Sequence, residues 1–231
     1  MAQGPGLSII VPALNEAAEI VSFLQTLQPL RREGVELILA DGGSLDDTPA
    51  LAAALVDRRV TAPRGRASQM NAGASAANGE VLVFLHADCR LPDGAKRLIL
   101  EGLRESGRSW GRFDVRLSGA QPLLRAVEFF MNLRSRLTGI ATGDQALFMT
   151  RRAYRAVGGF PGIALMEDVA MSARLKRAGK PLCLKARVIS SSRRWERGGI
   201  VRTVVLMWRL RLGYFLGADP ERLARIYYRE G

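Results

Sequence analysis

The chain predicts an α/β fold organised around a doubly wound, mostly parallel sheet, and three observations carry that expectation. Short apolar runs recur in the first third: Leu7–Pro12 (LSIIVP), Val35–Ala40 (VELILA) and Val81–Leu85 (VLVFL). Residues with helical spacing separate them, the strand–helix–strand rhythm of parallel sheets. Each run leads into polar residues: Asn15-Glu16, Asp41-Gly42-Gly43-Ser44 and His86-Ala87-Asp88. Ligands of such sheets lie beyond the carboxyl ends of the strands. Three strand ends therefore offer polar groups to one crevice, a disposition suited to a nucleotide carrying a diphosphate and a metal ion.

Taken in order, Glu16–Leu30 has helical spacing through Ile20, Phe23, Leu24 and Leu27, with Asn15 as its expected N-cap and Pro29 and Gly34 ending it. Asp46-Asp47-Thr48-Pro49 starts a short helix toward Leu55. Val60–Ala62 is a weak strand pattern. The turn Pro63-Arg64-Gly65-Arg66 opens a helix over Ala67–Ala77, closed by Asn78-Gly79. Beyond Asp88 the pattern changes. Pro92–Arg104 reads as a helix, Gly111–Leu117 alternates like an edge strand, and Pro122–Leu137 reads as a long helix. Gln145–Thr150 predicts a short strand, Glu167–Ala178 a helix closed by Gly179, Leu182–Ile189 a last strand and Val201–Leu212 a last helix.

Composition sets bounds. At 231 residues and 48% apolar content the chain can bury a substantial core. No repeat or linker divides it, so residues 1–231 are expected to form one domain, a nucleotide-binding half to about 90 and an acceptor half from about 91. Lys+Arg exceed Asp+Glu by 34 − 22 = +12, which fits nucleotide phosphates, nucleic acid or acidic lipid as partners, or a solvated arginine-rich surface. Two cysteines outside any CxxC pair and one histidine argue against a structural zinc site. The N-terminus lacks the pattern of a signal peptide, and no stretch approaches the ~20 apolar residues of a membrane span. A cytoplasmic location, with membrane contact from that side left open, is the expectation.

Three polar clusters carry candidate chemistry. The first, Asp41 to Thr48, has two glycines that let backbone approach a ligand; equally, it suits an ordinary turn with Asp46 or Asp47 at a helix start. In the second, Asp88 is a strand-end carboxylate able to hold Mg2+ or Mn2+, or a residue leading into the helix before which Pro92 stands. Glu167 and Asp168, the third, fit helix capping through the dipole, or a general base near an acceptor. Arg64, Arg66 and Gln69 at a helix start suit phosphates or solvent.

Read together, six segments resemble family 2 glycosyltransferases of the GT-A fold. They are Ile9–Glu16 (IIVPALNE), Asp41–Thr48 (DGGSLDDT), Arg66–Gly73 (RASQMNAG), Leu85–Asp88 (LHAD), Gly158-Gly159-Phe160, and Glu167-Asp168 with Arg174-Leu175. The resemblance implies a three-layer α/β/α sandwich, Rossmann-like, with a mostly parallel central sheet and an antiparallel addition. It implies an inverting, hexosyltransferase-type reaction on a UDP- or GDP-type nucleotide-sugar donor, with a divalent metal, Mn2+ or Mg2+, and a small-molecule or lipid-linked acceptor. Pro12, Asn15, Glu16, Asp41, Gly43 and Arg66 would contact the nucleotide, and Asp88 the metal. Asp168 would be the base, with Glu167 beside it. Asp144 and Gln145 in GDQALF, and Arg194 and Trp195 in SSRRWERGG, would lie on the acceptor and donor sides, Trp195 as a lid or as a core anchor. One departure stands out: His86 occupies the place of the first acid of the family's DxD motif. The HAD, GDQALF and SSRRWERGG segments resemble a small bacterial group of arsenosugar-biosynthesis-type glycosyltransferases.

Arg202–Ala218 mixes large apolar residues with Arg202, Arg209 and Arg211. At ~100° per residue the first two coincide and Arg211 falls opposite, so docking on the core or a homodimer interface is expected ahead of peripheral membrane contact. Two rival readings remain at this stage. A nucleotide-binding homologue without turnover is kept open by His86; a nucleic-acid-binding protein has only the net charge behind it, since no recognition motif stands out.

Overall fold

The structure is a computed structural model and describes residues 6–230. Its elements run β1 (Leu7–Ala13), α1 (Ile20–Arg32), β2 (Glu36–Asp41), α2 (Thr48–Ala52), β3 (Arg58–Thr61), α3 (Arg66–Ala76), β4 (Val81–Phe84), β5 (Cys89–Arg90), α4 (Ala95–Ser106), β6 (Trp110–Leu117) and α5 (Pro122–Thr138). There follow a 3-10 turn (Gly143–Gln145), β7 (Leu147–Thr150), α6 (Arg151–Ala156), α7 (Glu167–Ala178), β8 (Leu182–Ser190), α8 (Arg193–Gly198), α9 (Ile200–Phe215) and α10 (Pro220–Glu230). The strands form one sheet in the order β3-β2-β1-β4-β7-β6-β8-β5. The first four strands pair in parallel, β7 is antiparallel to β4 and β6, and β6 runs parallel to β8.

The continuous apolar runs follow from burial on both faces. Ile9, Val11, Leu37, Leu39 and Val83 pack in one cluster with α1, α4 and α5. Their neighbours Ile10, Ile38, Leu82 and Phe84 pack on the other face with α3 and α7. A third cluster joins the start of α7 to α9 and α10 through Val169, Leu206, Leu210 and Leu223. The three-layer expectation is met.

Local chemistry overrides several details. Asn15 does not cap α1. It takes a left-handed φ of 54° and ties two strand-end loops together, Oδ1 accepting from Leu45 N at 2.8 Å and its own N–H donating to Ser44 Oγ at 2.9 Å. Pro29 does not end α1 either: it lies inside the helix, where its missing N–H removes one bond near the C-terminal end, and Gly34 at φ 83° makes the stop. The weak pattern at Val60 is a real strand, β3, whose place at the exposed rim of the sheet requires few apolar residues. Gly111–Leu117 is not at an edge. β6 lies between β7 and β8, and its alternate positions Arg112 and Asp114 pair with each other instead of with water. The strand expected from Gln145 starts at Leu147, α4 starts only at Ala95, and α6, α8, α10 and the two-residue β5 come in addition to the expected elements.

Candidate active site

Two cavities open side by side beyond the carboxyl ends of the parallel strands. The larger, about 660 Å³, lies over β1 and the start of α3 and is lined by Pro12, Glu16, Arg64, Arg66, His86 and Asp88, among others. The smaller, about 160 Å³, is walled by Asp144, Glu167, Asp168, Arg194, Trp195 and Arg211, and it shares Arg66, His86 and Asp88 with the first. The two cavities therefore meet at the turn after β4.

That turn is fixed by its neighbours. Cys89 N–H donates to His86 O at 3.0 Å, Ser191 N–H donates to Asp88 O at 3.1 Å, and the short β5 pairs with the end of β8. The His86 ring lies against Gly143, where a Cβ would overlap the imidazole, so glycine is required for this contact. Burial and then the Arg66 charge hold the His86 imidazole below its ordinary range, while Asp88, Asp144 and Asp168 act in the opposite sense. A second acid reaches the site from elsewhere in the chain. Asp144, on the 3-10 turn, accepts from Ser190 Oγ at 3.3 Å, and burial followed by the Asp88 charge raises its carboxyl above the usual range. Glu16 is raised for the same two reasons.

Asp168 stands in the first turn of α7, where the helix dipole favours an acid. Its Oδ2 accepts from Gly143 N–H at 2.8 Å and its Oδ1 from Val169 N–H at 2.7 Å, which ties α7 to the 3-10 turn. Met166 before it is held at φ 70°, a conformation uncommon for a non-glycine residue and frequent at functional sites. Glu167 is buried, and burial with the adjacent Asp168 charge pushes its carboxyl up to about 7. Arg194 stacks on the Tyr227 ring, 4.1 Å from its centroid, so α10 closes the smaller cavity from above the α8 segment. Trp195 is half-buried, lining this cavity and also packing on the main core.

Other sequence-predicted residues stand apart. Asp41 is buried and spends its carboxylate on its own turn, accepting from Gly43 N–H at 3.0 Å, Ser44 N–H at 3.1 Å and Ser44 Oγ at 2.5 Å. It lines a different cavity, on the β3 side. Gly43 and Asn15 lie exposed on the two adjoining loops after β2 and β1 and line neither central cavity. Gln145 is fully buried and structural: its amide bonds to Thr142 N and Asn132 Oδ1. Gln69 lines the larger cavity, yet its Nε2 donates to Ala13 O at 2.6 Å and Ala40 O at 3.0 Å, joining the ends of β1 and β2. Residues not foreseen from sequence come from the C-terminal helices: Thr203, Met207 and Arg211 of α9, and Tyr227 and Tyr228 of α10. Arg211 had a legible signal. The residue that broke the helical wheel is the one turned inward.

The acids present suit a divalent cation only in part. Among the described residues no group of three or more His, Cys, Asp or Glu side chains is arranged to hold a metal ion alone. Among the described residues Asp88 makes no ion pair, and burial followed by the Asp88 charge disfavours the ionised form of Asp144, which a bound cation would favour. Mg2+ and Mn2+ take oxygen ligands and commonly complete their shell with substrate phosphates and water, so this donor set fits an ion bound together with a diphosphate.

A family model described as Glycosyl transferase family 2 matches residues 8–157. The Rhizobium meliloti succinoglycan biosynthesis protein ExoO is 37% identical over 103 residues, 41% of this chain and 29% of that protein. The glucosyl-3-phosphoglycerate synthase of Mycobacterium tuberculosis is 35% identical over 95 residues, 37% of this chain and 29% of that protein. The aligned stretch thus spans under a third of either relative. A crystal structure of that synthase with Mn2+, UDP and glucosyl-3-phosphoglycerate superposes with a TM-score of 0.57 at 22% identity, covering 81% of this chain and 71% of the other. The mannosyltransferase PcManGT of Pyrobaculum calidifontis, with GDP-Man and Mn2+, gives 0.63 at 20% identity over 98% and 69% of the two chains. These likenesses establish the GT-A fold.

Proposed function

This chain belongs to glycosyl transferase family 2, and from that premise we propose that it is an inverting, metal-assisted hexosyltransferase using a UDP- or GDP-type sugar donor. The observation that supports this best is the junction of two cavities at Arg66, His86 and Asp88, a carboxylate and a guanidinium where a diphosphate would lie. The nucleoside would occupy the larger cavity along Pro12 and Glu16. The solved relatives that hold UDP or GDP-Man together with Mn2+ support the donor class and the ion.

Asp88, with Asp144 beside it, would hold the divalent ion; when bound, such an ion offsets charge gathering on the leaving diphosphate. Asp168 takes the proton from the acceptor hydroxyl as that oxygen attacks the anomeric carbon. The bond from that carbon to the diphosphate oxygen breaks, and its electron pair leaves with the nucleoside diphosphate. One displacement inverts the anomeric centre. The two backbone N–H groups on Asp168 fix its carboxylate toward the smaller cavity, which is positioning of the kind that lowers barriers most. Glu167, protonated over part of the neutral range, holds Asp168 company without competing for the same proton. Arg66 and Arg194 stabilise the departing diphosphate, and Trp195 with Tyr227 excludes water.

The test is an Asp168→Asn variant with UDP-glucose and GDP-mannose, following nucleoside diphosphate release. It is expected to bind donor as the parent does and to lose release by 100-fold or more, about the 10²–10⁴ range of acid–base catalysis. Release at the parent rate would show that Asp168 is not the base. Binding without release in the parent would favour the non-catalytic homologue that His86 suggests.

The proposal includes contact with a lipid surface. Val201, Val205, Trp208, Leu212 and Phe215 of α9 are exposed in a single stripe at 3–4-residue spacing, with Arg202 exposed on its flank. Since Arg211 points inward, the wheel mismatch that disfavoured this reading is gone. Among the described residues no helix is long and apolar enough to cross a membrane.

A further inference from the structure

Two neighbouring helices carry apolar residues on their outer faces as well as their inner ones. The inner face of α5, through Leu124, Val127 and Met131, packs on the main core together with Ile200 and Val204 of α9, so the two helices lie in contact. On the outer face of α5, Leu123, Ala126, Phe130, Leu133 and Leu137 are exposed at steps of 3, 4, 3 and 4 residues. The α9 stripe from Val201 to Phe215 steps by 4, 3, 4 and 3. Leu137 is 77% exposed, Trp208 68% and Phe130 63%. Single exposed apolar residues are ordinary; two such rows side by side mark a surface that meets a partner.

Charge selects the partner. Glu128 is the only acid in either helix, and it is buried. The exposed charges are Arg202 and Arg209 on α9 and Arg136, paired with Asp114, on α5. A second copy docking here would meet these arginines with the same arginines, whereas an anionic bilayer takes apolar rows and cations together. The other side of α9 walls the smaller cavity, through Thr203, Met207 and Arg211. At 3.6 residues per turn this wall lies about 120° round the helix from the stripe, and a helix with its side chains is ~10–12 Å across. An interfacial helix sinks its apolar face about 5–10 Å. Seated in that way, α9 sets its cavity wall in the headgroup layer.

Resting on the transferase reading above and extending its α9 contact, we infer that α5 and α9 form one seat on an anionic bilayer and that the acceptor is a lipid, whose headgroup hydroxyl enters the smaller cavity beside α9. The cavity, about 160 Å³, takes the reacting part of the headgroup while the acyl chains stay in the bilayer. The transfer is unchanged: the lipid's hydroxyl oxygen bonds to the anomeric carbon, its proton passes to Asp168, and the nucleoside diphosphate leaves with the electron pair of the broken bond.

The seat is read by tryptophan quenching in phosphatidylglycerol vesicles with brominated acyl chains. Trp208 stands on the stripe, Trp110 is buried in the core and Trp195 lines the cavity. The parent should be quenched, Trp208→Phe should lose most of that quenching, and Trp208→Phe with Phe130→Trp should regain roughly half or more of it. Phe130→Ser with Leu137→Ser should weaken vesicle binding by about tenfold or more, the loss of two large apolar side chains from lipid, while the melting midpoint and nucleotide affinity hold. The acceptor is read by nucleoside diphosphate release from UDP-glucose and GDP-mannose, with Mn2+. Three matched pairs are compared: phosphatidylglycerol against glycerol 3-phosphate, 1-oleoylglycerol against glycerol, and dodecyl against methyl β-glucoside, the chain-bearing members carried in phosphatidylserine vesicles. At least one chain-bearing member should release nucleotide about tenfold faster than its soluble partner, and the double serine variant should lose that preference. No regain of quenching through Phe130→Trp, equal release with the soluble partners, or no release with any chain-bearing member would overturn the inference. So would a dimer-to-monomer change in the serine variant with vesicle binding retained. Quenching as expected while neither UDP nor GDP binds would keep the seat and remove the transferase reading.

Discussion

At the scale of single residues, the site depends on side chains whose environment sets what they can do. Glu167 has its carboxyl raised to about 7 by burial and then by Asp168. An acid whose folded pKa lies above its unfolded value holds its proton in the native state while the unfolded chain has lost it. Stability is therefore complete below about pH 4.5 for this group, falls as pH rises toward 7, and stays reduced above that. Glu167→Gln should flatten that part of the melting-midpoint profile and raise the midpoint at pH 8; an unchanged profile would mean that Glu167 ionises normally. His86 makes a second case. Gly143 leaves room for its ring, which a Cβ at that position would overlap. Gly143→Ala should cost about 1–3 kcal/mol in urea unfolding through overpacking and should weaken nucleotide binding by displacing the turn that carries Asp88. A variant as stable as the parent, with the same affinity, would contradict that contact.

At the scale of elements, polar pairs differ in worth by their surroundings. Arg112 is fully buried in β6, paired with Asp114 and donating Nε to Ser135 Oγ at 3.0 Å on α5. Arg112→Ala leaves Asp114 with the half-exposed Arg136 and should cost about 3 kcal/mol, as removal of one partner from a buried pair does. Arg97→Ala on α4, whose Glu101 partner is exposed, should change stability by less than about 0.5 kcal/mol. Equal costs would show that burial does not set the value of these pairs. The outer stripe of α9 is tested separately. Val205→Ser with Trp208→Ser should leave the midpoint nearly unchanged and abolish co-sedimentation with phosphatidylglycerol vesicles. Retained vesicle binding would leave net charge as its cause, and a shift from dimer to monomer would reassign the stripe to self-association. Element type was legible wherever both faces of a strand are buried, as in Ile9–Val11 and Leu37–Leu39. Boundaries failed where side chains replaced backbone logic. Asn15 bonded across two loops instead of capping, and Arg112 and Asp114 made an inner strand resemble an edge.

At the scale of the molecule, the sheet gathers residues from distant parts of the chain to one rim, and that explains what a sequence can and cannot show about the site. Glu16, Arg66, Asp88 and Asp168 were legible because each follows a strand or starts a helix, in a recognisable order. Tyr227 was not, because α10 returns to the cavity through tertiary packing that no local pattern encodes, and Arg211 was marked only by its misfit on the helical wheel of α9. Asp41 shows the reverse error that position alone invites: it stands at a strand end, yet its carboxylate is consumed by its own turn. The account as a whole stands on one claim, that the rim at Asp88 binds a nucleoside diphosphate together with a divalent ion. Calorimetric titration of UDP and of GDP, each with and without Mn2+, into the parent and Asp88→Asn measures it directly. The account predicts Mn2+-dependent binding of one nucleotide by the parent, lost or weakened at least tenfold in the variant. Binding that ignores both Mn2+ and the substitution, or no binding of either nucleotide, would contradict it.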